Sequence, residues 1–86
     1  MSANLPTVEV PRAELRQGLG VLAAFVRVGL TTSNGDARRQ VAGGGLRVND
    51  QAVADDKLQL TEANLTADGV IKLSLGKKKH VLLRAV

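Results

Sequence analysis

The chain of 86 residues has no cysteine, so a disulfide framework and a thiolate zinc site are both excluded, as a reducing compartment would favour. It has one aromatic residue, Phe25, placed among Leu22, Val26 and Leu30 where a core side chain belongs. Single-strand binders that stack bases on exposed aromatic platforms are therefore a poor match, and any nucleic acid bound here is expected to be read through phosphate and shape. No apolar run approaches the roughly 20 residues needed to span a bilayer. The opening "MSANLPTVEV" lacks the basic start and apolar block of a secretory signal. The expected partners include no membrane, and the expected address is the cytoplasm.

Reactive groups are equally sparse. His80 is the only histidine and follows three lysines, with no second ligand or nucleophile at a recognisable spacing. No catalytic residue, metal site or resident cofactor is expected. The three glycines after Val41 follow a helical pattern and precede a strand, the reverse of the order that cradles nucleotide phosphates.

What is present is charge in blocks. The net charge is +4, and its distribution is uneven. Residues 1–26 balance at zero and residues 27–49 carry +3, residues 50–70 carry −4, and residues 71–86 carry +5 with no acid. A fold that joins the two basic segments and swings the acidic loop away would present one cationic face, the footprint of a polyanion binder.

A chain of this length builds one core. Residues 1–14 read as an extended lead-in, with Pro11 at the start of a helical turn running to Gln17, and residues 15–86 read as the domain proper. Leu15, Leu19, Leu22 and Val26 fall at helical steps, but Gly18 and Gly20 interrupt them, so the spacing predicts a better helix from Leu19 to Val28 that Gly29 stops. Ser33 has the position of an N-cap, with Asp36 three residues on. Ala37 and Val41 face inward from the helix that follows, and Arg38 and Arg39 project outward about 100° apart. Gly43, Gly44 and Gly45 end it.

From Leu46 the period changes to two. Leu46 and Val48 alternate with Arg47, Asn49 and Asp50 make a tight turn, and residues 51–53 return. A strand is possible over residues 57–60 within the acidic loop. Ile71, Leu73 and Leu75 then form a hairpin with residues 79–84, turning on Gly76 and Lys77 in a two-residue loop. The expected fold is α+β, two short helices packed on a small, largely antiparallel sheet of about four to five strands.

Arg38 and Arg39 lie on a helix whose free N–H groups also favour anions, and Arg47 follows the glycine stop. Guanidinium groups grip phosphate oxygens through paired bonds, and Lys77, Lys78 and Lys79 at a hairpin tip are mobile point charges suited to a phosphate backbone. These six are the candidate RNA-binding residues.

The run "GLTTSNGDARRQVAGGGLRVND" resembles the RNA-binding domain named after the fourth small-subunit ribosomal protein, the S-four domain. Gly29, Leu30, Ser33, Ala37, Arg38, Val41, Gly44 or Gly45, Val48 and Asn49 meet its pattern together. Freestanding members usually begin their first helix with an arginine-leucine-aspartate run that "LGVLAAFVRVG" lacks. The lead-in "LPTVEVPRAEL", the arginine doublet, the glycine run and the closing "IKLSLGKKKHVLLR" look like the C-terminal end of bacterial-type tyrosyl-tRNA synthetases.

That resemblance implies an appended domain that grips tyrosine tRNA around its variable arm and anticodon stem. Aminoacylation would fall to a catalytic domain outside this chain, which would also bind ATP and tyrosine. The piece alone is expected to be monomeric and not an enzyme. Two positions depart from the pattern: Asn34, where the family often has lysine, and Asp50, where the turn often has glycine. A freestanding RNA-binding regulator and a protein-docking module are the alternative functions.

Overall fold

The structure is a computed structural model and describes residues 5–86. Five strands form one sheet in the order β1-β7-β6-β3-β4: β1 (Thr7–Val10), β3 (Leu46–Val48), β4 (Gln51–Ala52), β6 (Val70–Leu75) and β7 (Lys79–Ala85). Its pairs are antiparallel except β1–β7, which is parallel. Three helices accompany it, α1 (Arg12–Gln17), α2 (Val21–Arg27) and α3 (Asn34–Ala42). β2 (Leu19–Gly20) and β5 (Gln59–Leu60) pair in a separate two-stranded sheet, and Glu62–Asn64 makes a 3-10 turn.

The α+β class and five-stranded sheet match the sequence reading, while the helix count is three rather than two. Gly18 explains the difference. Its φ of +93° suits glycine, and it turns the chain out of α1. Leu19 and Gly20 then pair with Leu60 and Gln59 instead of starting the next helix. The helical phase restarts at Val21, so the buried face of α2 is Val21, Ala24 and Phe25, whereas Leu19, Leu22 and Val26 are only half-buried. The even spacing from Leu15 to Val26 thus spans two helices and belongs to no single face.

The lead-in contributes to the sheet. Val8 and Val10 of β1 sit in register with Leu83 and Ala85 of β7, and Val10 is fully buried. The Val86 N–H donates to the Val10 carbonyl and the Arg12 N–H to the Val86 carbonyl, tying the start of the domain to its end. The strand read at residues 57–60 is confined to Gln59–Leu60 and lies outside the main sheet.

One face of the sheet carries the core. Val10, Leu46, Val48, Ile71, Leu73 and Leu83 meet Leu15, Val21, Ala24, Phe25 and Ala37 from the helices, with Val53 and Leu60 closing the edge. Full burial of each large aliphatic or aromatic side chain stabilises by about 1.5–3 kcal/mol, so this single cluster is the main source of stability. Alternate strand residues point the other way. Cross-strand pairing sets Arg47, Ser74 and His80 in one row of that outer face.

Candidate nucleic-acid interface

Two turns position the basic side chains. Ser33, with extended backbone, caps α3 by accepting from the Asp36 N–H at 3.1 Å. The Asp36 carboxylate does not return to Ser33. It accepts from the Thr32 N–H at 3.1 Å, so the reciprocal bond of the capping box is displaced by one residue. Gly44, with φ +73°, carries the chain from α3 towards β3; Gly45 lies outside the left-handed region.

The second turn, Asn49–Asp50, has both residues left-handed, at φ 51° and 69°, as a tight two-residue hairpin requires. Asn49 does more than turn the chain. Its Oδ1 accepts from the Lys72 N–H at 3.0 Å and its Nδ2 donates to the Asn64 carbonyl at 2.7 Å, so one side chain ties β3, β6 and the acidic loop.

Ion pairs sort the cations. Arg38 Nε lies 3.2 Å from Asp56, and Arg39 lies 3.9 Å from Asp36. Lys72 pairs with Asp50, Arg12 and Arg16 with Glu62, and Arg27 with Glu14. The acidic segment therefore folds back onto Arg38 and Lys72 instead of swinging clear of the basic ones. Arg47, Arg84, Lys57, Lys77, Lys78 and Lys79 have no carboxylate partner among the described residues.

Four of those six gather at one end of the sheet. Leu75 pairs with Lys79, so the β6–β7 loop is Gly76, Lys77 and Lys78, three residues where a two-residue turn was expected. Gly76 has φ +67°, and its N–H donates to the Gly45 carbonyl at 2.8 Å, drawing the lysine tip against the glycine run. Arg47 is two residues beyond Gly45, in register with Ser74. The tip, Gln40, Gly45 and Leu75 line a groove of about 520 Å³.

His80 braces this tip, a role that composition and spacing did not suggest. Its Nε2 lies 3.1 Å from the Lys77 carbonyl and its Nδ1 2.8 Å from Ser74 Oγ. A carbonyl only accepts, so Nε2 carries the proton in the neutral ring and the Ser74 hydroxyl donates to Nδ1. Register in the sequence pointed elsewhere: a two-residue turn on Gly76 and Lys77 would set Lys79 opposite Ser74, and only the three-residue loop brings His80 there.

Of the motif positions, Ala37 is fully buried on the inner face of α3, Gly29 is left-handed at φ +81°, and Gly44 and Asn49 supply the turns described above. Among the described residues no cluster of three or more His, Asp or Glu side chains could hold a metal ion, and no helix is long and apolar enough to cross a membrane. The arrangement is suited to binding a polyanion by cations on a rigid frame.

Comparison with known proteins identifies the family. Residues 2–83 match the model of the family described as Tyrosine--tRNA ligase SYY-like C-terminal domain. The chain is 67% identical over 84 residues to the tyrosine-tRNA ligase of Nitrobacter winogradskyi, covering 98% of the chain and 20% of that protein. With the ligase of Bradyrhizobium diazoefficiens the identity is 63% over 84 residues, again 98% of the chain and 20% of the relative. With that of Rhizobium meliloti it is 56% over 86 residues, 100% of the chain and 21% of the relative. The chain thus spans about a fifth of the length of the relatives it matches, and it belongs to the family of tyrosine-tRNA ligase C-terminal domains.

Proposed function

We propose that this domain binds tyrosine tRNA on its variable arm and anticodon stem, holding it for aminoacylation by a catalytic domain of the same synthetase. The observation that carries the reading is the gathering of Arg47, Lys77, Lys78 and Lys79, none with an acid partner among the described residues, at the end where β3, β6 and β7 meet. Cations already paired must exchange one partner for another, whereas free ones release phosphate counterions at full gain. Arg38 and Arg39 are secondary contacts, since each must first leave an aspartate.

The frame matters as much as the charge. Lys77 and Lys78 are held by the Gly45–Gly76 bond and the His80 brace, so less conformational freedom is lost when they meet phosphate. With one buried phenylalanine and no tyrosine or tryptophan, the chain exposes no large aromatic platform for base stacking, and a structured RNA is the matching ligand. ATP and tyrosine belong to the catalytic domain, in the cytoplasm, and the isolated domain acts as a monomer.

The test is titration of labelled tyrosine tRNA with the domain, beside the same tRNA with its variable arm shortened. Binding that weakens at least about tenfold with the shortened arm supports the reading. Equal binding of both removes the arm from it, and no binding even at low salt points to a protein-docking role.

A further inference from the structure

The groove at the lysine tip has features that a phosphate-gripping surface alone does not need. Its lining combines Leu75, Gly45 and Gly76 with Gln40 and the three lysines, and contains no carboxylate. Leu75 lies on the core side of β6 yet is only half-buried, leaving apolar surface within the groove. A Cβ on Gly45 would come within 2.9 Å of Gln40 Oε1 and 3.8 Å of Leu75 Cδ1, so glycine there leaves room for the Gln40 amide beside the leucine. The groove is wide and largely open to solvent, and its volume of about 520 Å³ lies within the range, about 300–1,000 Å³, of small-ligand sites.

Resting on the proposed RNA binding, we propose that this groove receives one unpaired nucleotide of the bound RNA. The base lies against Leu75 and the glycine backbone, its edge meets the Gln40 amide, and the flanking phosphates fall among Lys77, Lys78 and Lys79. Paired bases are stacked inside a duplex and present only groove edges and backbone, so the lysines can meet its phosphates but the apolar part of the groove gains nothing from it. An extruded base brings a flat apolar face with phosphates attached on either side. Charge selects the occupant: three ammonium groups without an acid favour a phosphodiester chain over a neutral apolar peptide.

The experiment measures binding of the full chain to two stem-loop RNAs, identical except that one carries a single-nucleotide bulge, with an oligoglutamate peptide as competitor. The expected preference for the bulged RNA is about tenfold, falling to about onefold in Gly45→Val, which fills the groove. Gln40→Ala, at the end of α3, provides a second variant if Gly45→Val does not fold, and is expected to cut the preference about threefold. Salt-sensitive but equal binding of the two RNAs overturns the groove proposal and leaves RNA binding standing. A preference that survives in every folded variant also overturns it. Failure to bind either RNA while tyrosine tRNA still binds overturns the groove proposal alone, failure to bind all three overturns both readings, and oligoglutamate bound more tightly than the bulged stem assigns the groove to an acidic peptide instead.

Discussion

Arg38 Nε lies 3.2 Å from an Asp56 carboxylate oxygen, so a cation displayed by α3 is already partnered by the acidic loop. The pair is exposed and contributes at most about 1 kcal/mol. Breaking it costs the fold little and makes the arginine fully available to phosphate. Asp56→Asn is therefore expected to leave stability within about 1 kcal/mol and to raise tRNA affinity by up to about fivefold, measured by fluorescence anisotropy at low salt. Reversing both Arg38 and Arg39 to glutamate should weaken binding at least about tenfold with circular dichroism unchanged. Unchanged binding in that double variant would remove α3 from the interface.

Asn49 should be a structural residue with a large cost. Asn49→Ala leaves the Lys72 N–H and the Asn64 carbonyl without their partner and puts alanine at φ 51°. Each lost partner costs about 1–3 kcal/mol and the left-handed backbone adds about 1 kcal/mol, so a loss of at least about 3 kcal/mol is expected in urea unfolding. A loss under about 1 kcal/mol would mean that water replaces both bonds.

Val10→Ala tests whether the lead-in belongs to the fold. The side chain is fully buried, and removing two methyl groups there should cost about 2 kcal/mol of stability by urea unfolding. Ser33→Ala, which removes the cap of α3, should cost about 1 kcal/mol. If Val10→Ala proves silent, β1 pairs with β7 without supporting the core.

Acid should weaken one helix contact. Hydrogen bonding to the Arg27 guanidinium holds the Glu14 carboxyl below its ordinary pKa, and the same bond raises that of Arg27. Because the folded carboxyl is the stronger acid, unfolding takes up protons at low pH. The pair's contribution is present above about pH 4.5 and is lost as pH falls through the lower folded value. Wild type and Glu14→Gln should therefore differ in urea midpoint at pH 7 and converge as the pH is lowered through the acid range. A constant difference across that range would show that the pair carries no pH-linked stability.

The sequence revealed elements whose signals are local. The Asn49–Asp50 turn, the Ser33 cap and the alternation of Leu46 and Val48 each depend on neighbours within a few residues, and all three appear where the pattern placed them. The parallel pairing of β1 depends on Leu83 and Ala85, more than 70 residues away, and no local pattern marks it. The pairing of Leu19 with Leu60, 41 residues on, is also unmarked locally, although Gly18 and Gly20 mark the break in the helical stretch where it forms. At the candidate interface the residue types were legible, but their availability was not. Whether Arg38 is free depends on where Asp56 comes to lie, which the fold alone decides.

In the proposed binding mode the lysine tip and Arg47 carry the RNA. The direct measurement is the dependence of tRNA affinity on salt for the wild type, Lys77→Gln/Lys78→Gln/Lys79→Gln, and the same triple variant with Arg47→Gln. Each phosphate contact contributes a slope of about 0.7–0.9 in log K against log salt concentration. The triple variant should lose about 2 in slope and the quadruple variant about 3. Unchanged slopes in folded variants would contradict the claim and move the interface away from this end of the sheet.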